Sequence, residues 1–189
     1  NHDASIHVQQ WDDYDLDMLD RIQRRVLWLS TYMVHYANFV RPNPDGIKIG
    51  GHEASSSSVL SLLTVLYFYF LRSGDRVSIK PHASPVFHAI QFLRGFLPQE
   101  KLKTFRQYGG IQAYPSRTKD ADGVDFSTGS VGLGAVAPIF GALVRDYLND
   151  HFDKEKSNFS QLGWHVALVG DAELDEGNVW EALGEEYTQ

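Results

Sequence analysis

The sequence has no cysteine, which excludes disulfide frameworks and thiolate metal sites. It also lacks an apolar run long enough to span a membrane, because the most apolar stretch, residues 59–71, is short and contains Ser61 and Thr64. An excess of positive charge is missing too. The net charge of −7 argues against a surface that binds nucleic acid or an anionic membrane.

The N-terminus has no basic region followed by an apolar core, so no signal peptide is visible and we expect a cytoplasmic protein. The chain does not begin with Met, and it stops six residues after Leu183 within a helical pattern. We therefore expect a piece of a longer protein. Its 189 residues, 43% of them apolar, suffice for a domain with a core of its own.

A long helix is predicted near the N-terminus, after a lead-in of residues 1–11 without any pattern. Apolar residues recur there at spacings of three and four, and Pro42 and Pro44 end the helix. These apolar residues are Leu19, Ile22, Val26, Leu29, Met33, Tyr36 and Val40. A coiled coil shares this repeat, but it lasts only about three heptads, so we expect packing against the domain's own core.

Stretches typical of strands and helices alternate along the rest of the chain. Residues 75–80 and 166–169 are predicted strands. Predicted helices cover residues 59–71, 86–96, 98–105, a stretch from Gly134 to near Asn149, and the residues after Glu176. The alternation predicts an α/β fold with a parallel sheet flanked by helices. The helix over residues 59–71 is apolar nearly all round, so we expect it to be buried, and His88 is expected to be structural.

A carboxylate comes directly after the second predicted strand, in Gly170-Asp171. Ligands of open α/β sheets bind at the carboxyl ends of the strands. An aspartate beside a glycine at such a position suits a hard divalent cation such as Mg²⁺. A turn in which Asp171 merely caps the next helix fits this stretch equally well.

Three further loops are predicted to reach the same edge of the sheet. Gly129, Gly132 and Gly134 lie near a helix start, where exposed backbone N–H groups bind phosphate, although such glycines also serve close helix packing. His52 follows paired glycines and His82 follows a strand, and each also fits an ordinary turn residue. Together these loops suit a diphosphate-bearing cofactor whose charge is met by a metal and by helix N-termini.

Four motifs occur in order: Gly50-Gly-His52, His82-Ala-Ser-Pro85, Ser127-Thr-Gly-Ser-Val-Gly-Leu-Gly134 and Gly170-Asp-Ala-Glu-Leu-Asp-Glu176. Together they resemble the N-terminal, diphosphate-binding domain of thiamine-diphosphate enzymes of the transketolase superfamily. The resemblance covers residues 19–189. It implies that residues 1–45 are a lead-in with a long N-terminal helix and that residues 46–189 are the N-terminal part of this domain, incomplete at its C-terminus.

Within the superfamily, the chain is most similar to the homodimeric type of pyruvate dehydrogenase decarboxylating component. Gln112-Ala-Tyr-Pro115 and the acidic run over residues 173–176 favour that type, whereas Ser127-Thr-Gly-Ser130 is nearer to transketolase proper.

The resemblance also implies roles for individual residues. Asp171 would bind the Mg²⁺ that holds the diphosphate of thiamine diphosphate. His52 and His82 would lie near the thiazolium ring and handle protons or substrate oxygens. Glu176 would match the acidic residue that links paired active sites across a homodimer. The other implied cofactor contacts are Ser55, Tyr114, Ser130, Val131, Gly132, Gly134, Gly170, Ala172 and Glu173.

The implied activity is magnesium- and thiamine-diphosphate-dependent oxidative decarboxylation of a 2-oxo acid, above all pyruvate, alongside the acyltransferase component of a dehydrogenase complex. Transketolase-type ketol transfer between sugar phosphates is an alternative. A non-catalytic binding or assembly subunit is another, because Ala172 replaces the second glycine of the family's Gly-Asp-Gly.

The effect of that replacement depends on the backbone conformation at Ala172. If the position requires a positive φ, alanine costs on the order of 1 kcal/mol there. By the same resemblance, the second metal ligand and the glutamate that activates the aminopyrimidine would lie beyond Gln189. This piece alone is therefore expected to be inactive.

Overall fold

Six α-helices and two short strands make up the part of the chain that the computed structural model describes, residues 13–120, 123–152 and 163–185. The α-helices are α1 Asp13–His35, α2 Glu53–Ser57, α3 Leu60–Val65, α4 Ser84–Leu93, α5 Leu133–His151 and α6 Gly177–Leu183. The strands are β1 Arg76–Ser78 and β2 His165–Ala167. Short 3₁₀ helices cover Pro81–Ala83, Gln99–Thr104 and Asp171–Asp175, and π-helical turns at Tyr36–Val40 and Leu66–Phe70 continue α1 and α3.

The two strands form a parallel sheet, which confirms the predicted α/β class. Arg76 pairs with His165, and the register continues to Ser78 and Ala167. An apolar run such as residues 166–169 is typical of a parallel strand that is buried on both faces, but β2 is only half-buried, with Ala167 exposed. The reason is that β1 is its one neighbouring strand among the described residues.

The long N-terminal helix packs into the core, as its spacing predicts. Val26 and Met33 on α1 are fully buried, and the helix lies against α3 and α4. The apolar repeat therefore serves the domain's own core in place of a coiled coil. The helix closes with a π-helical turn, in which the Arg41 N–H donates to the Tyr36 carbonyl at 2.9 Å, directly before Pro42.

The expectation of a helix buried all round over residues 59–71 is wrong. Leu60 and Leu63 are buried against α1 and α4, but Leu62 is 55% exposed and Phe70 is 49% exposed. One side of this short helix lies on the core while the other faces outward. An apolar composition does not reveal which of its faces is covered.

Helix α4 is the most deeply buried element described, and it carries His88. This side chain is fully buried, and its Nε2 makes a 2.9 Å hydrogen bond with the Gln112 carbonyl. A buried polar group requires such a partner, so the structural role predicted for His88 is confirmed. None of the described helices combines the length and the apolarity needed to cross a bilayer.

Candidate functional site

The loops that follow β1 and β2 meet at one edge of the sheet. Because the strands are parallel, their carboxyl ends point the same way. Lys80, which follows β1, lies against the backbone of Gly170, which follows β2: its Cδ is 4.0 Å from where a Cβ on Gly170 would be. The predicted convergence of these two loops is therefore present in the structure.

Asp171 begins the 3₁₀ helix at this edge without capping it. The helix N-cap is Gly170, whose N–H donates to Glu173 Oε2 at 2.8 Å. Asp171 is exposed, and its carboxylate has no hydrogen bond or ion pair among the described residues. The interpretation of Asp171 as a helix cap is thus excluded, and the carboxylate is available to a ligand.

Glu173 differs from the other carboxylates of this acidic run because it is buried, with only 7% of its surface exposed. One oxygen accepts from Gly170, while Oε1 has no hydrogen-bond partner and lies 3.9 Å from where a Cβ on Gly134 would be. Its side chain therefore points into the protein. An acceptor buried without a partner costs about 1–3 kcal/mol, so this oxygen can still take a donor.

Ala172 lies within the same 3₁₀ helix and keeps an ordinary backbone conformation. Among described residues other than glycine, positive φ occurs only at Arg106. The methyl group at Ala172 therefore carries no left-handed strain. Its side chain is exposed beside Asp171.

The glycine loop lies at the first turn of α5. Gly132 is the N-cap with φ 81°, a conformation that favours glycine. A Cβ here would collide with Asn178 Oδ1 of α6 and would lie 3.1 Å from Glu176 Cβ. Asn178 also donates from Nδ2 to the Val131 carbonyl at 2.9 Å. The acidic run and the glycine loop are thus in direct contact.

Gly134 brings the glycine loop against the end of β1. A Cβ on this residue would lie 3.4 Å from Ser78 Oγ. Ser78 is fully buried, and its hydroxyl oxygen has no hydrogen-bond partner. Two buried oxygens without partners, Ser78 Oγ and Glu173 Oε1, therefore border the start of α5, where helix N–H groups favour an anion.

His52 and His82 are brought together, with ring centroids 4.1 Å apart. His52 is the N-cap of α2, and His82 lies in the 3₁₀ helix two residues after Lys80. Ser56 of α2 fixes this arrangement, because its Oγ accepts from the Val86 N–H of α4 at 3.1 Å. His52 is exposed, but partial desolvation, then the charge of His82 and then that of Arg106 lower its pKa below the ordinary value of 6.5.

The remaining predicted residues lie around this edge with fewer contacts. Tyr114 is 44% exposed and Ser130 is exposed, whereas Ser55 on α2 is half-buried. No hydrogen bond or ring contact among the described residues joins these three side chains to the other predicted site residues. Thr128 connects the Tyr114 segment to the end of β1. Its N–H donates to the Pro115 carbonyl at 3.2 Å, and its hydroxyl donates to the Ile79 carbonyl at 2.9 Å.

Three residues of this region were not predicted from the sequence: Lys80, Arg106 and Asn178. Lys80 could have been suspected, since it directly precedes the Pro81-His82 turn. Asn178 and Arg106 act across the fold, 47 and 57 positions from the residues they bond. No local pattern marks such contacts.

The side chains described do not form a complete metal site. They include no group of three His, Cys, Asp or Glu that could hold a metal ion. Mg²⁺, however, is commonly held by one or two carboxylates together with phosphate oxygens and water. The exposed carboxylate of Asp171 lies in a loop that reaches the anion-favouring start of α5 through Glu173, and it fits a metal that is shared with a diphosphate.

Comparisons with known proteins agree with this geometry. Residues 70–185 match the protein family described as "Transketolase, thiamine diphosphate binding domain". This match includes His82, the glycine loop and Asp171, and it begins after His52.

Curated relatives extend the similarity over most of the chain. Proteins named "Pyruvate dehydrogenase E1 component" are 35% identical over 180 residues in Mycobacterium tuberculosis and 30% identical over 187 residues in Escherichia coli K12. These alignments cover 89% and 93% of this chain, but only 18% and 20% of the relatives. The chain thus spans about a fifth of the length of the curated relatives it matches.

Proposed function

The chain belongs to the transketolase family of thiamine diphosphate-binding domains, and on this premise we propose that its protein cleaves a carbon–carbon bond with thiamine diphosphate and Mg²⁺. The reaction that we propose is the oxidative decarboxylation of a 2-oxo acid, namely pyruvate. The observation that carries this proposal is the meeting of the glycine loop with the loop of exposed Asp171 at one sheet edge. The names of the relatives support pyruvate as the substrate.

In this proposal Asp171 binds the metal, and the start of α5 at Gly132 and Gly134 receives the diphosphate. Gly170 and Ala172 line the same loop. Glu173 holds the loop from inside through Gly170, since its carboxylate points away from the surface. When bound, thiamine diphosphate supplies the electron sink for the bond cleavage.

We assign proton handling to the histidine pair. The lowered pKa of His52 favours the unprotonated form of its imidazole, which can accept a proton or a hydrogen bond from a substrate oxygen. His82 lies close enough to act on the same group. Ser55, Tyr114, Ser130 and Val131 complete the proposed cofactor surroundings.

For the assembled protein we propose a cytoplasmic homodimer that works with the acyltransferase component of a dehydrogenase complex. Glu176 is the proposed link between paired sites. Its Cβ lies beside Gly132, so that it is placed next to the proposed diphosphate site. At a dimer contact, Glu176 would therefore lie close to the bound cofactor.

The decisive assay uses the full-length protein with pyruvate and an artificial electron acceptor. We expect turnover that requires both thiamine diphosphate and Mg²⁺ and that is lost when either is omitted. A lack of turnover with any 2-oxo acid would refute the proposal. Activity in a coupled pentose-phosphate assay would instead support ketol transfer, which Ser127-Thr-Gly-Ser130 favours.

Asp171→Ala tests the metal assignment. Because Asp171 offers the exposed carboxylate at the site, the substitution is expected to abolish magnesium-dependent binding of thiamine diphosphate in titration calorimetry. Asp175→Ala, in the same acidic run and also exposed, is the control and should leave binding unchanged. Absence of any magnesium-dependent signal in the unchanged protein would favour a non-catalytic subunit.

A further inference from the structure

Arg106 stands out by its backbone, since it is the one non-glycine residue with a positive φ, 56°, in the described part of the chain. An L-residue in the left-handed region costs about 1–2 kcal/mol relative to the right-handed one. Such strain persists only where the surroundings fix the residue. Here the Arg106 N–H donates to the Ile111 carbonyl at 3.0 Å, which closes a tight loop.

The strained backbone directs the Arg106 side chain to the turn that carries His52. Its Nη1 donates to the Ile49 carbonyl at 2.9 Å, and the same atom lies 2.9 Å from where a Cβ on Gly50 would be. Gly50 thus leaves the space that the guanidinium occupies. From the other side, Asn38 of α1 both accepts from the Gly50 N–H and donates to the Gly50 carbonyl, each at 2.9 Å.

The guanidinium is also a charge that acts on His52. Its Nε is buried without a hydrogen-bond partner, and no carboxylate pairs with it among the described residues. Among the described residues, His82 is the other titratable group that faces His52, and Glu53 is the acidic neighbour of His52 on α2. Helix α1 faces the turn with Asn38 and Val34, which do not titrate.

We propose that Arg106 is a positioning residue for His52: its guanidinium fixes the turn over residues 49–52, which ends at this histidine. The catalytic use of this arrangement rests on the proposed function, whereas the arrangement itself is a property of the fold. Burial and the charges of His82 and Arg106 lower the pKa of His52, in that order, so that loss of the guanidinium charge raises it. A purely structural contact would hold the turn without this effect.

The test follows the reaction of diethyl pyrocarbonate with each histidine of the full-length protein over a pH series, read by peptide mass spectrometry. The reagent modifies only unprotonated imidazole, so the pH midpoint of the rate at His52 reports its protonation without any turnover. Arg106→Asn removes the charge with a residue that tolerates positive φ, and Arg106→Lys retains the charge. The matched control is Arg41→Asn, because Arg41 Nη1 likewise donates to a backbone carbonyl, that of Phe105 at 2.9 Å, without acting on His52.

We expect Arg106→Asn to move the His52 midpoint to higher pH, while Arg106→Lys and Arg41→Asn leave it in place. Exposed His35 on α1 is the internal reference. An unmoved midpoint in Arg106→Asn, or an equal shift in Arg41→Asn, overturns the proposal. If the shift occurs but no 2-oxo acid is turned over, the positioning role stands and the proposed function fails. A raised KM with an unmoved His52 midpoint would make Arg106 a substrate contact and reject the positioning role.

Discussion

At the scale of single residues, the carboxylates of Asp171 and Glu173 have different roles although they belong to one acidic run. Asp171 is exposed and makes no hydrogen bond or ion pair among the described residues. Glu173 is buried and accepts a hydrogen bond from the Gly170 N–H. The difference arises because a 3₁₀ turn sends neighbouring side chains to different sides of the chain. The buried carboxylate shapes the loop that presents the exposed one.

Glu173→Ala should therefore destabilise the protein without removing a surface charge from the site. The Gly170 N–H loses its acceptor, and the expected loss is about 1–3 kcal/mol in the free energy of unfolding. Urea denaturation measures it. Glu173→Gln keeps an oxygen acceptor in place and should cost less, so that equal losses in the two variants would contradict the capping role.

Ala172→Gly tests whether the departure from the family's Gly-Asp-Gly matters. Since Ala172 has no positive φ, restoring glycine should lower the stability by about 0.5–1 kcal/mol through added freedom of the unfolded chain. Calorimetry should find the affinity for thiamine diphosphate unchanged. Binding that is about tenfold tighter, a gain of about 1.4 kcal/mol, would show instead that the methyl group obstructs the cofactor.

At the scale of elements, the start of α5 is fixed by its contact with α6. Gly132 needs both its positive φ and its missing side chain, because Asn178 and Val179 occupy the adjacent space. Gly134, two residues on, lies in regular helix at ordinary distance from Ser78. Gly132 is therefore required by its backbone conformation and by the close approach of α6, whereas neither requirement applies to Gly134.

Gly132→Ala and Gly134→Ala form a matched pair for this difference. We expect Gly132→Ala to cost at least about 1–2 kcal/mol from the left-handed backbone alone, with more from the collision at Asn178. Gly134→Ala should be neutral or should gain up to about 1 kcal/mol of helix propensity. Thermal unfolding of both variants decides the matter, and equal effects would count against the contact between α5 and α6.

Element by element, the sequence predicts which stretches are helix or strand better than it predicts what covers them. The period of α1 and the glycine that opens α5 are local features, and both are where they were expected. The exposed side of α3 and the half-buried β2 were not predicted, because apolar residues do not say which neighbour packs on them. Likewise, Arg106 reaches Ile49 across 57 positions, a distance that no local pattern spans.

At the scale of the whole molecule, protonation links the site to stability. Burial and then the charge of Arg145 lower the pKa of His165 on β2 from its ordinary 6.5, and His52 shifts in the same direction. The unfolded chain thus binds these protons more readily than the folded one. Asp125 has the opposite effect on stability at lower pH. Burial raises its pKa from 3.8, so the folded chain binds this proton more readily than the unfolded one.

We therefore expect the free energy of unfolding to fall as the pH is lowered through 6.5, and the loss to be complete below the folded-state pKa values of the two histidines. His165→Asn should make this dependence shallower. Urea denaturation at a series of pH values measures the slope. His35→Asn, at an exposed position on α1, is the control, and an unchanged slope in His165→Asn would contradict the assignment.

The parallel pairing of β1 with β2 also has a consequence for synthesis of the chain. At the start of the two strands, the Asp75 carboxylate accepts a hydrogen bond from the Trp164 N–H. These two residues are 89 positions apart in the chain. At roughly 5–20 residues per second, the ribosome takes on the order of 4–18 s to deliver the second strand after the first. During that time β1 is an unpaired edge, open to mispairing. Asp125 follows Val77 by only 48 residues and accepts its N–H on the side of β1 away from β2, so one edge of the nascent strand is closed before its partner exists.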